Sequence, residues 1–304
     1  MSLYDSLAAV SVVPKKQIDP MVISRSFGLD YAIVSSMNKR VSESRKSVIP
    51  VHVSTAIDLC ARQLYYLQQQ PEYQVEVTSE EVVLWGLGRA VESILRERII
   101  DIFGQQNIYG RWKCLCGKTE LVGFGVNPQN YKCRFCNHSV VTTFDEWAIT
   151  ANGLIVGNPD MLLNLDGQLV ITEFKSMSGP LFKTLEAPNQ AHVLQVYCYF
   201  RILKDHYGDF FKGMGVSISN TPEIIYVSKD YNKYRKTNNI KSFKLDFNES
   251  TTRYGWAKDV YDKAFTDIKL VVQGHKPDRT KCDTANCERA KKCPVAVRCF
   301  ADAN

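Results

Sequence analysis

Gly157-NPDMLLNLDGQLVITEFK-Ser176 holds two runs of branched apolar residues on either side of Asp166-Gly167. Asp-Gly is a favoured two-residue hairpin loop, so this stretch predicts two antiparallel strands joined by a tight turn. Asp160 then stands at the outer end of the first strand, and Glu173 and Lys175 lie two apart on the second. Residues i and i+2 of a strand point to one face, so the carboxylate and the ammonium emerge side by side, with Asp160 able to approach as the hairpin closes. Two hard carboxylates can bind Mg²⁺ or Mn²⁺, while a neighbouring ammonium can orient an attacking water and offset phosphate charge. The plainer alternative is an Asp at a strand start and an exposed Glu/Lys pair.

Outward from the hairpin, FDEWAIT (144–150) and GLIVG (153–157) flank Asn152-Gly153, which extends the prediction to a β-meander. Residues 188–204 carry apolar residues at helical spacing, GMGVSIS (213–219) and EIIYVSK (223–229) read as strands, and a final helix is expected over about 249–273. Upstream, STAIDLCARQLYYLQQQ has a Ser placed to cap a single helix from Ser54, and Glu80 to Phe103 is a second amphipathic helix with Glu92 near its middle. Helices flanking a central mixed sheet predict an α/β fold. Residues 1–50 are rich in Lys, Arg and Ser with few apolar stripes, and are expected to form an arm or cap.

Ten cysteines fall mainly into two sets. Cys114, Cys116, Cys133 and Cys136 form C-x-C and C-x2-C pairs inside a Gly-rich segment, 107–141, with little apolar periodicity. Four thiolates at that spacing predict a zinc ribbon inserted before the meander, although the first pair is one residue shorter than is common. His138 could replace a thiol, though four cysteines already complete the site, and Arg111, Lys113, Lys118, Lys132 and Arg134 could reach phosphates, solvated surface charges being the plainer alternative. Cys282, Cys287, Cys293 and Cys299 crowd the C-terminus, while Cys60 and Cys198 stand apart, the latter as expected for a buried core thiol. The late four could close a zinc site by themselves.

Pro159-Asp160 followed by Glu173-Phe174-Lys175 resembles the signature of the PD-(D/E)XK nuclease superfamily. Gln195 and Tyr199, one turn apart on the helix after the hairpin, resemble the Q-x-x-x-Y motif of its RecB-like branch, and Gly88-Arg-Ala-Val-Glu92 resembles the helical motif whose Glu adds a carboxylate to the metal site. The resemblance implies a restriction-endonuclease-like core over 51–106 and 142–304, with catalytic residues Glu92, Asp160, Glu173, Lys175, Gln195 and Tyr199, the last two helping to position DNA. The His that the branch often carries in the early helix is missing here. An early Cys before an aromatic helical segment and a late Cys cluster resemble the iron–sulfur members, the AddB nuclease domain and the CRISPR-associated adaptation exonucleases. That likeness implies a structural [4Fe–4S] clasp held by Cys60, Cys287, Cys293 and Cys299, with Cys282 as substitute. The family's C-x2-C step is replaced by C-x5-C in this chain.

The expectation is therefore a Mg²⁺- or Mn²⁺-dependent deoxyribonuclease, an exonuclease acting on DNA ends in recombination, repair, phage replication or CRISPR adaptation. No helicase motif is apparent, so any unwinding would fall to a helicase or recombination partner. The competing class is a non-catalytic DNA-binding or scaffold protein that keeps the fold. The formal charge of 38 − 32 = +6 suits a polyanionic partner. No apolar run is long enough for a membrane span and no secretory signal is evident, so a cytoplasmic, reducing location is expected, which also favours metal sites over disulfides.

Overall fold

The structure, a computed structural model, describes residues 49–69, 79–118, 120–125, 132–137, 141–230, 239–248 and 252–302. Two compact units divide the chain, 1–45 with 74–84 and 46–73 with 85–304. The arm or cap expected at 1–50 lies outside the described residues except for its last two, as does His138. Eleven strands are described: β1 (Val51–His52), β2 (Ile108–Cys114), β3 (Glu120–Phe124), β4 (Val141–Asp145), β5 (Ile149–Ala151), β6 (Ile155–Gly157), β7 (Met161–Leu165), β8 (Gln168–Met177), β9 (Ser217–Ile218), β10 (Glu223–Ser228) and β11 (Ile240–Lys244).

The expected hairpin is β7–β8. Leu165 pairs with Gln168, and Asp166 and Gly167 take φ of 51° and 81°, the left-handed conformation that Asp tolerates and Gly adopts freely. β8 is central: β7 runs antiparallel on one side and β10 parallel on the other, in the order β11-β10-β8-β7-β2-β3. β4 pairs with β2 and β9 with β8. The remaining strands form a second sheet, β1-β6-β5, so the anticipated meander is divided between two sheets.

Helices cover both faces of the large sheet. The helices are α1 (Val53–Ala56), α2 (Ala61–Gln69), α3 (Ser79–Phe103), α4 (Gly179–Lys183), α5 (Gln190–Gly213), α6 (Gly255–Val272), α7 (Glu288–Lys291) and α8 (Ala296–Ala301). Leu162, Leu169, Ile171, Ile224 and Tyr226 bury one sheet face against residues of α5 and α6. Met161, Leu163, Phe174, Ile108 and Trp112 bury the other against Leu95, Ile99 and Ile100 of α3. Alternation along β7 and β8 thus supplies both faces, as a mixed sheet between helices requires. Among the described residues, no helix is long and apolar enough to cross a membrane.

Three expectations are corrected. The helix from Ser54 is broken at residues 57–60, and His52 rather than Ser54 caps its first piece, Nδ1 accepting the Ser54 N–H at 3.4 Å. Arg289 takes the Asp58 carbonyl at 2.7 Å, a tertiary partner in place of the helix's own amide. The boundary at 107 runs through the main sheet, because Ile108 and Tyr109 pair with Leu163 and Leu162 and are buried. The helix expected over 249–273 is α6, begun at 255 and preceded by a 3₁₀ turn at Thr252–Tyr254, and it is not the last: α7 and α8 follow it.

Candidate active site

Pro159 cannot donate a ladder hydrogen bond, and β7 starts two residues later. Continuing the Met161↔Thr172 register by one step sets Asp160 opposite Glu173, and the carboxylate turns into the strand end, where Oδ2 accepts the Phe174 N–H at 2.6 Å. Glu173 and Lys175 share a face of β8, with Lys175 Nζ donating to Glu173 Oε1 at 2.7 Å. Asp160 and Glu173 are both buried. The hairpin therefore brings these three residues together at one strand end.

Burial pushes the Asp160 carboxyl well above the ordinary carboxylate range, Glu173 pushes it further, and Lys175 and the Phe174 N–H only partly offset them. Glu173 is raised for the same first reason, against the pull of Lys175. For Lys175, burial acts downward, but Glu173 and Asp160 outweigh it and hold the ammonium above its usual value. Glu173 Oε2 is buried and lacks a hydrogen-bond partner, a cost that a cation would remove. Hard oxygens with one buried and unpartnered lone-pair set fit Mg²⁺ or Mn²⁺.

α5 lies over this strand end. Asn189 caps it, its side chain accepting the Ala191 N–H at 2.8 Å. Gln195 Nε2 donates to the Tyr199 hydroxyl at 2.8 Å, one turn apart. Tyr199 is 1 % exposed, so as placed it offers no surface to DNA, in contrast to the positioning role expected for it. Its ring fills the space over Gly157, where an added Cβ would collide with it and with Val53. Only glycine fits there, three residues before Asp160. His192 meets the Tyr226 hydroxyl at 2.8 Å, and burial with the nearby Lys175 charge takes its pKa down to about 4, so the ring is neutral at neutral pH.

Glu92, on α3, is half-buried beside Gly88 and Ser176, and its charge acts on Asp160, Glu173 and Lys175. Two further residues escaped the sequence reading. Arg96, one turn beyond Glu92, pairs with Glu146 from the loop after β4, and Glu146 is raised by burial, with Glu173 and Glu92 adding to the rise and Arg96 opposing it. A carboxylate 27 residues before Glu173 and an arginine 50 before that carry no shared motif. The only signal available was Arg96 four residues from Glu92 on the same helical face. No protein-family model matches the chain, and no curated protein does.

The thiols converge elsewhere. Cys114 Sγ lies 3.4 Å from Cys136 Sγ and Cys116 Sγ 3.7 Å from Cys133 Sγ, and the four sulfurs all lie within 4.8 Å of one another. Among the described residues no other set of three or more such ligands is so close. A tetrahedral site with Zn–S of about 2.3 Å has sulfur–sulfur edges of roughly 3.8 Å, so this set can hold a metal ion. At the C-terminus, Cys60, Cys282, Cys293 and Cys299 line one small cavity. Cys287 instead sits against Cys282 and caps α7, its sulfur accepting the Ala290 N–H at 3.3 Å. The cavity lining thus includes Cys282, expected as a substitute ligand, and not Cys287, expected as one of the four. Cys198 is buried in the core as expected.

Proposed function

We propose that the chain hydrolyses DNA phosphodiester bonds with a divalent cation held by Asp160 and Glu173, on a PD-(D/E)XK, RecB-like core. The observation that carries this reading is the hairpin end, where two buried carboxylates, one with an unpartnered oxygen, meet a lysine held charged. Bound Mg²⁺ or Mn²⁺ would supply Lewis acidity at the scissile phosphate and make an attacking water more acidic. Lys175 spends one of its three donors on Glu173 Oε1, and the ammonium keeps two for a water and a phosphate oxygen. Tyr199 and Gln195 fix the Gly157 approach and so the position of Asp160. Arg96 and Glu146 tie α3, which carries Glu92, to the loop beside the site. End-labelled single- and double-stranded DNA, incubated with Mg²⁺, Mn²⁺ or EDTA, tests the reading: cleavage that needs the cation is expected, and intact DNA under all conditions would overturn it.

A pH dependence follows from the raised carboxyls. Asp160 and Glu173 must lose protons before a cation can be held, so Mn²⁺ affinity should climb as pH rises above the ordinary carboxylate range, with proton release on binding. Stability of the metal-free protein should move oppositely. A folded-state pKa above the unfolded one favours folding at acid pH, and that contribution is lost as pH rises through the raised value. Calorimetric titration across pH in buffers of different ionisation heat checks this, and pH-independent binding without proton release would contradict it.

We assign zinc to Cys114, Cys116, Cys133 and Cys136, and a [4Fe–4S] cluster to Cys60, Cys282, Cys293 and Cys299. The compact first set matches a single-ion tetrahedron, whereas a cubane spreads its thiolates wider, in keeping with a cavity lined by four cysteines outside that limit. Cys136→Ser should lose about one equivalent of zinc while leaving iron unchanged, as read by elemental analysis of anaerobically purified protein.

A further inference from the structure

The two cysteine turns present a surface that the chemistry of the hairpin does not use. Because Cys114 faces Cys136 and Cys116 faces Cys133, the residues between the paired thiols are displaced outward. Leu115 is 71 % exposed and Phe135 54 %. Arg134 lies over the Phe135 ring at 4.9 Å. Lys118, Lys132 and Arg134 are exposed, and from Leu115 to Val140 the sequence has a single acid, Glu120. Arg111 and Lys113 do not belong to this surface, since Asp145 engages them at 2.6 and 3.1 Å.

We propose that this tip binds single-stranded nucleic acid, with Phe135 stacking on a base and Lys118, Lys132 and Arg134 meeting the backbone. An exposed aromatic ring among cations, with little opposing charge, is the combination that holds single strands without reading sequence. A protein partner would find an apolar pair ringed by like charges. Position supports the same occupant. β4 pairs with β2 beside Cys114 and runs on to Glu146 at the carboxylate cluster, five residues or about 17 Å along an extended strand. A strand seated on the tip therefore has a few nucleotides to cross before reaching Asp160 and Glu173. The inference deepens the proposed nuclease reading and rests on it.

Fluorescence anisotropy with labelled oligothymidylate, using the full metal-loaded chain without added Mg²⁺ or Mn²⁺, tests it. Phe135→Ala should weaken binding roughly tenfold, the scale of losing one base–aromatic stack, and leave the salt dependence intact. Lys118→Ala with Lys132→Ala should instead flatten the salt dependence by about 0.7 in log–log slope per lost phosphate contact. Zinc content and circular dichroism should match wild type in each variant. Unchanged affinity in Phe135→Ala, preference for duplex alone, or a change only in oligomeric state would overturn the assignment. If wild-type protein cleaves and binds DNA while the tip variants bind equally well, the tip alone is wrong. If wild type neither binds nor cleaves, the nuclease reading fails as well.

Discussion

Asp160→Asn protein is expected to lose cleavage by on the order of a thousandfold or more, while the metal-free protein melts higher than wild type. The two effects have one cause. Asparagine keeps an oxygen for the Phe174 N–H, which Asp160 Oδ2 accepts at 2.6 Å, so the strand end keeps its geometry. It removes a carboxyl that burial and Glu173 make costly to ionise, so the neutral amide relieves a penalty that the native residue carries for the sake of the cation. Lys175→Ala should match the loss of activity without the gain in stability. It strips the buried Glu173 of its 2.7 Å partner and leaves a second carboxylate oxygen unpaired beside Oε2. Cleavage assays and thermal melts in EDTA read both. Wild-type rates in either variant would remove the central claim, and a lower melting temperature for Asp160→Asn would place the residue among structural acids.

The parts legible in the sequence were those decided locally. Asp166-Gly167 fixed the hairpin loop, and the period-two spacing of Glu173 and Lys175 fixed their common face, because neither depends on a distant contact. Gln195 and Tyr199 were placed on one turn for the same reason, but their burial was not legible, since it comes from the ring packing over Gly157 and Val53. The break at residues 57–60 was hidden because the Asp58 carbonyl finds its partner, Arg289, 231 positions away. β2 was read as part of an inserted ribbon because Ile108, Tyr109 and Trp112 follow no clean alternation; Tyr109 packs into one core cluster while Ile108 and Trp112 enter the other. Arg96 and Glu146 meet only in the folded chain. Tertiary pairing, and not weak local propensity, accounts for these misses.

Anaerobically purified Cys60→Ser protein is expected to lose its iron and brown colour, whereas Cys287→Ser should keep both. Cys60 stands in the gap between α1 and α2, and that gap aims it at a cavity shared with Cys282, Cys293 and Cys299. Cys287 does not line that cavity, and at the cap of α7 serine can accept the same Ala290 N–H. Losing the cluster should weaken the clasp without unfolding the chain, because protein contacts also hold the tail. Tyr66 donates to Asp302 at 2.5 Å, Arg289 holds Asp58 at 2.7 Å, Arg298 lies over the Tyr66 ring at 5.0 Å, and Val295 and Cys299 are buried against Tyr66. A loss of about 3 kcal/mol would lower Tm by roughly 6–12 °C in a domain of this size. Cys198→Ser is the control: its thiol is pushed up to about 12 by burial in the core, so that variant should destabilise while keeping its iron. Iron retained in Cys60→Ser but lost in Cys287→Ser would instead assign the site to the four late cysteines alone, and colourless protein with about two zinc ions would reject the cluster. Neither result would touch the hairpin end, since Asp160, Glu173 and Lys175 are held by the β7–β8 register and by the Phe174 N–H rather than by the clasp.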